Sequence, residues 1–205
     1  MVYLDGLPIN KKIGTCDKCH IGMAKGLGVG NCNATVLLLA QHPGNTYSWN
    51  PTLIPFELHR WAENKQVKSP DILKKVLEQA QIPLDLFYVT NVQKCAGLLK
   101  PEYIEKCHDW LEQELQLLPK CRLIVAMGRA AADRIQARVR KISVYQSDRQ
   151  TFLTSAVSHP AAPLYPGGIT RENYRKQWIF IGELYREVAS YSTNEFHALC
   201  KDIAT

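Results

Sequence analysis

The run Thr35-Val36-Leu37-Leu38-Leu39-Ala40 constrains the fold more than any other stretch, because it is apolar throughout and does not alternate. A segment of strand length with that pattern must bury both faces, which calls for a parallel sheet covered by helices on each side. It ends in Gln41-His42-Pro43-Gly44-Asn45. Pro43 lacks the N–H a ladder needs and Gly44 tolerates positive φ, so the strand stops there. In open α/β sheets the ligand crevice lies beyond the carboxyl ends of the strands, which places Gln41, His42 and Asn45 where chemistry is expected.

Further segments repeat the theme. Ser69-Pro70-Asp71 starts a helix with a capping hydroxyl, proline at the first helical position and an acid in the first turn. Ile72, Leu73, Val76, Leu77 and Ala80 then fall on one helical stripe. Leu86–Val92 is a second strand, rich in aromatic and β-branched residues. Pro101 opens a helix carrying Ile104, Cys107, Leu111, Leu115 and Leu118, and Pro119 ends it. Arg122–Met127 is a third strand, turned by Gly128 into a helix over Arg129–Arg138. Thr151–Ser158 is a fourth strand ending at His159-Pro160, and a last helix runs from about Thr170 to Tyr191. The alternation predicts a three-layer α/β/α sandwich with a central, mostly parallel four-stranded sheet. The glycine-rich passage from Gly22 to Gly30 is expected to be surface loop.

Composition sets bounds. The 205 residues suit one domain over 1–205, large enough to bury a core without disulfides. The apolar runs are far shorter than a membrane span, and the first residues lack the basic-then-apolar pattern of a secretion signal, so a cytoplasmic protein with no membrane partner is expected. The net charge of +6 permits a nucleic-acid partner without requiring one. Basic residues gather at Arg129, Arg134, Arg138, Arg140 and Lys141, and again at Arg171, Arg175 and Lys176; a solvated helix face or a phosphate track would each explain them.

Seven cysteines, an odd number in a reducing compartment, argue for metal or catalysis over a disulfide framework. Cys16-x-x-Cys19 is the first half of such a site, and Cys95 with Cys107 is the second, so residues 1–34 contribute ligands to the domain. Four thiolates suit a [4Fe–4S] cluster or zinc, and spacing does not choose between them. Cys32, Cys121 and Cys200 are expected to be buried small apolar residues.

Taken in order, these motifs resemble the iron–sulfur uracil-DNA glycosylases, the family-four branch of the uracil-DNA glycosylase superfamily. Cys16-x-x-Cys19 is similar to the family's first cluster pair, and Gly28-x-Gly30-Asn31 to its Gly-x-Gly-Asn approach. Gln41-His42-Pro43-Gly44 stands where the family has Glu-Ala-Pro-Gly. Pro55-Phe56, Thr90-Asn91-Val92-x-Lys94-Cys95, Ala126-Met127-Gly128-Arg129 and His159-Pro160 each resemble a family motif.

The resemblance implies a monomeric DNA glycosylase that flips uracil, or a related deaminated base, out of DNA and hydrolyses its glycosidic bond, since the bond is inaccessible inside the stack. It implies base reading by Asn91, stacking by Phe56, amides near Gly44, and catalytic roles for His159, Gln41, His42 and Asn45. His159 would stabilise the departing base anion at O2. Leu164 would be a wedge, Arg129, Arg171 and Arg175 phosphate contacts, and Cys16, Cys19, Cys95 and Cys107 the cluster ligands.

Two departures stand out. No Asp or Glu lies between Gln41 and Pro55, where the family carries carboxylates. The Cys95–Cys107 interval is shorter than the family's, with Ala96-Gly97-Leu98-Leu99-Lys100 replacing its proline- and arginine-rich text. The alternative reading is therefore an iron–sulfur nucleic-acid-binding protein of this fold with weak or absent catalysis.

Overall fold

In the computed structural model of the chain, residues 8–19, 25–43, 52–53 and 68–204 are described. The four strands anticipated from sequence form the parallel heart of one sheet: β3 (Val36–Ala40), β5 (Phe87–Asn91), β6 (Leu123–Met127) and β8 (Thr151–Val157). The sheet has six strands rather than four, in the order β2-β5-β3-β6-β8-β7. The additions are antiparallel edges, β2 (Val29–Gly30) on β5 and β7 (Ser143–Gln146) on β8. Neither edge carries a fully apolar run, which hid them from a reading based on buried strands. The glycine-rich passage holds a further short strand, β1 (Lys25–Gly26), which pairs with β4 (Thr52–Leu53).

Alternate residues of each central strand serve two cores, and this is why their sequences do not alternate in polarity. Val36, Leu38 and Ala40 pack beneath α2 (Lys68–Gln79), α6 (Arg171–Ser190) and α7 (Thr193–Ala204). Leu37 and Leu39 face Leu111 and Leu115 of α4 (His108–Gln116) and Ala131 of α5 (Arg129–Arg134). Helix α7 extends the chain's helical content beyond the expected last helix, and α1 (Pro8–Gly14) adds a turn at the other end. The helix expected over 101–118 divides at Cys107 into α3 (Pro101–Lys106) and α4. The helix expected to reach Arg138 stops at Arg134, just before Gln136 takes φ 53°. No helix among the described residues is long and apolar enough to cross a membrane.

One buried polar cluster crosses the layers. The Lys94 ammonium and the Glu114 carboxylate pair with side chains 1% and 0% exposed. Lys94 Nζ also donates to Thr90 Oγ1 at 2.7 Å, and Thr90 donates to Glu114 Oε1 at 2.9 Å. The Tyr88 hydroxyl donates to the same carboxylate at 3.3 Å, and burial beside it drives the phenol pKa strongly upward. Removing one member of such a pair strands a buried charge. Lys94→Met is expected to lower stability by about 3–5 kcal/mol, measured by denaturant titration, and Lys94→Met/Glu114→Leu to recover most of that loss.

Candidate active site

The carboxyl ends of the central strands carry the residues singled out from sequence. Asn91 closes β5, Gln41 and His42 follow β3, Gly128 follows β6, and His159 follows β8. The ladder between β3 and β5 continues past both strands. Val92 N–H donates to Ala40 O at 2.9 Å and Gln93 N–H to Gln41 O at 3.0 Å. The loop bearing His42 is thereby pinned to the segment bearing Asn91.

Asn91 is 1% exposed, and its Nδ2 has no hydrogen-bond partner among the described residues. An added methyl at Gly26 would collide with the Pro43 ring and lie 3.1 Å from Asn91 Nδ2, so a glycine of the N-terminal segment walls this side. A buried amide nitrogen left without a partner costs about 1–3 kcal/mol.

His159 sits in a different setting. Ala161 N–H donates to its Nδ1 at 3.2 Å. A backbone N–H can only donate, so the neutral ring carries its proton on Nε2 and offers a donor there. Burial first, and the nearby His42 second, push its pKa down to about 4, keeping the ring neutral at ordinary pH. The turn holding it is fixed from α6: Ser158 N–H donates to Gln177 Oε1 at 2.7 Å, and Gln177 Nε2 donates to Ser158 Oγ at 3.3 Å.

Gln41 is engaged elsewhere. Its Oε1 accepts from Ala130 N–H at 3.3 Å, in the first turn of α5. Gly128, with φ 94°, permits this, since a Cβ there would lie 2.9 Å from the Gln41 amide carbon. Gln41 and His159 line a cavity of about 410 Å³ with Arg129, Ser158 and the apolar groups of α5 and β8. A larger cavity, about 640 Å³, lies at the amino ends of the central strands around Arg122, Tyr191 and Phe196, and contains none of these residues.

The groups expected to face DNA fall in two places. Arg129 is exposed at the start of α5, 3.6 Å from Asp133. Leu164, Arg171 and Arg175 line a third cavity, about 360 Å³, with Ile72, Lys75 and Tyr174. Arg175 forms a forked ion pair with Glu172, both bonds 3.1 Å. Leu164 is half-buried there, whereas its neighbour Tyr165 is 68% exposed and is the apolar side chain this loop presents to solvent. Gly44, Asn45 and Phe56 lie outside the described residues.

The candidate cysteine set is drawn from three segments, and three of its sulfurs accept hydrogen bonds. Trp110 Nε1 donates to Cys16 at 3.4 Å, Lys25 Nζ to Cys95 at 3.1 Å, and Lys94 N–H to Cys107 at 3.4 Å. Burial raises the thiol pKa values of Cys19 and Cys107, and each is raised further by the charge of Cys95. N–H donors aimed at sulfur suit deprotonated thiolates, so the donor set fits a thiolate-bound group. Among the described residues no three His, Cys, Asp or Glu groups are arranged to hold a metal ion. Cys121 and Cys200 are buried as expected, but Cys32 is only half-buried, because it lies in the turn before β3 instead of within the core.

Sequence reading missed the residues that hold these groups in place. Gln93 is one: its amide donates to Cys95 O at 2.9 Å and Leu98 O at 3.1 Å and accepts from Lys100 N–H at 3.2 Å, shaping the short loop after Cys95. Glu114 and Gln177 are others. Two charged residues, Glu112 and Glu114, lie between Leu111 and Leu115 of the core stripe, and that pattern did not single out Glu114.

The model of the uracil DNA glycosylase superfamily matches residues 27–181, most of the chain. The chain belongs to this superfamily. Membership makes it a protein of DNA glycosylase type, a hydrolase with DNA as its partner. The matched span contains Gly28, Asn91, Gly128 and His159, and starts after Cys16-x-x-Cys19. Comparison with curated proteins finds no match.

Proposed function

We propose that this superfamily member excises uracil, or a closely related deaminated base, from DNA, and that it carries a [4Fe–4S] cluster on Cys16, Cys19, Cys95 and Cys107. The observation that carries the reading is the Asn91 Nδ2, unpartnered among the described residues, at the same end of the sheet as a neutral His159 whose ring proton is on Nε2. An amide can accept from uracil N3–H and donate to O4, a pattern that cytosine does not match. A donor at O2 stabilises the base as it departs with the bonding pair. Phe56 as a stacking ring, Asn45 as an orienter of water and amides near Gly44 complete the reading. Tyr165 joins Leu164 as a group to fill the vacated stack, and Arg129, Arg171 and Arg175 hold phosphates.

Support for the cluster is the four-cysteine set with its N–H donors to sulfur. When bound, the group would tie the N-terminal segment to the segment after β5, a structural role. The absence of any Asp or Glu between Gln41 and Pro55 favours a second reading, DNA binding without base release.

Purified protein incubated with an oligonucleotide containing one uracil is expected to generate an alkali-labile abasic site. The same preparation should be brown, with iron and acid-labile sulfide. DNA binding that falls with salt but leaves the uracil in place would select the second reading. Zinc in place of iron would overturn the cluster assignment.

A further inference from the structure

The absent carboxylates leave the attacking water without an evident proton acceptor, and the hydrogen bonds of the two crevice histidines supply one. His42 Nδ1 lies 2.7 Å from Pro43 O. A carbonyl oxygen only accepts, so the ring proton is on Nδ1 and the lone pair is on Nε2. His159 is the reverse, its Nδ1 accepting from Ala161 N–H and its Nε2 carrying the proton. At the carboxyl ends of the strands the backbone thus fixes the two imidazoles in opposite tautomers, one presenting a donor and the other an acceptor.

We propose that His42 is the general base that takes the proton from the water attacking the sugar, in place of a carboxylate. The inference rests on the glycosylase reading above. The amides beside it in the sequence cannot serve. Gln41 and Asn45 are amides with no basic lone pair, and the Gln41 oxygen is already engaged with Ala130 N–H. The backbone of His42 is held on both sides, by the bond from Gln93 N–H to Gln41 O and by buried Pro43 packed toward Gly26. Burial first, and the charge of His42 second, disfavour protonation of His159, so His159 keeps its donor role.

The step balances without a further reactant. The C1′–N1 bond breaks and its electron pair leaves with the base, whose O2 receives the His159 Nε2–H hydrogen bond. Water oxygen bonds to C1′ and gives one proton to His42 Nε2. The imidazolium then returns that proton to N1 of the base anion or to solvent. One water is consumed, and one free base and one abasic hydroxyl are formed. The imidazolium formed mid-step also sits near the departing anion and offsets its charge.

The test is single-turnover uracil release by the full chain and by His42→Ala, His42→Asn and His42→Asp, with folding checked by thermal melting and DNA affinity by salt-matched titration. His42→Ala and His42→Asn are expected to lose about 10²-fold in rate with affinity nearly unchanged. His42→Asp, which restores a proton acceptor, should regain at least tenfold over His42→Asn, and added imidazole should accelerate His42→Ala but not His159→Ala. An active wild type with His42→Asn equal to His42→Asp, or His42→Ala within threefold of wild type, would overturn the assignment while leaving the glycosylase reading intact. A wild type that releases no uracil removes both.

Discussion

Asn91→Ala is expected to lower single-turnover uracil release by about 10³-fold, because two hydrogen bonds formed in a desolvated pocket, each worth about 2 kcal/mol, are lost together. Asn91→Leu separates this role from a structural one. It keeps the size of the side chain and removes a buried amide whose Nδ2 has no partner among the described residues. That substitution should leave stability unchanged or raise it by about 1 kcal/mol, while abolishing base release as fully as alanine does. A residue present for the fold alone would behave in the opposite way, with stability lost. Finding both variants destabilised and catalytically normal would remove Asn91 from base recognition.

The second large effect belongs to His159. Replacing it with alanine should cost about 10²–10³-fold in the rate of base release, the usual consequence of deleting one donor aimed at developing negative charge. DNA affinity should change little, since the donor matters most when the base carries the bonding pair. A pH signature accompanies this. The folded-state pKa is depressed to about 4 by burial and by His42, against an ordinary value of 6.5. Between those values the unfolded chain binds a proton that the folded chain refuses. The contribution is therefore fully present above pH 6.5 and is lost as pH falls toward 4. His159→Asn should consequently show a shallower loss of stability than wild type between pH 6.5 and 4.5, measured by denaturant midpoints across that range. Identical slopes would place His159 in a far more solvated setting than the structure gives it.

The surroundings of these two residues explain why each is dependable. Asn91 ends a strand whose neighbours Tyr88, Thr90 and Lys94 converge on Glu114, so the segment that presents it is anchored from below. His159 rides on a turn clamped by Gln177 from α6. The clamps come from helices remote in sequence from the residues they hold.

How much of this could be read without coordinates differs from one element to the next. The four central strands were legible because a strand buried on both faces has no polar positions to interrupt it, and Val36–Ala40 is the plainest case. The edges were not legible. Val29–Gly30 and Ser143–Gln146 owe their strand conformation to partners already in place, and no local propensity announces a strand two residues long. The break at Cys107 was hidden for a related reason, since the apolar stripe runs through it from Ile104 to Leu111 as though the helix were continuous. Among site residues, Asn91 and His159 could be named from their places after strands. Their tautomer, burial and missing partners could not.

The chain by itself determined the parallel sheet, the strand ends at which chemistry would gather, and the cysteines and polar residues available there, because these follow from hydrophobic pattern, turn chemistry and residue type. Tertiary structure alone decided which of those groups are spoken for. Gln41 is occupied by the first turn of α5, the Asn91 Nδ2 finds no partner among the described residues, and His42 and His159 carry their protons on opposite nitrogens. A hydrogen bond to one particular backbone atom sets each of those states except the one at Asn91, where the deciding fact is a bond not made. Such relations exist only once distant segments are packed together, so no reading of neighbours along the chain contains them.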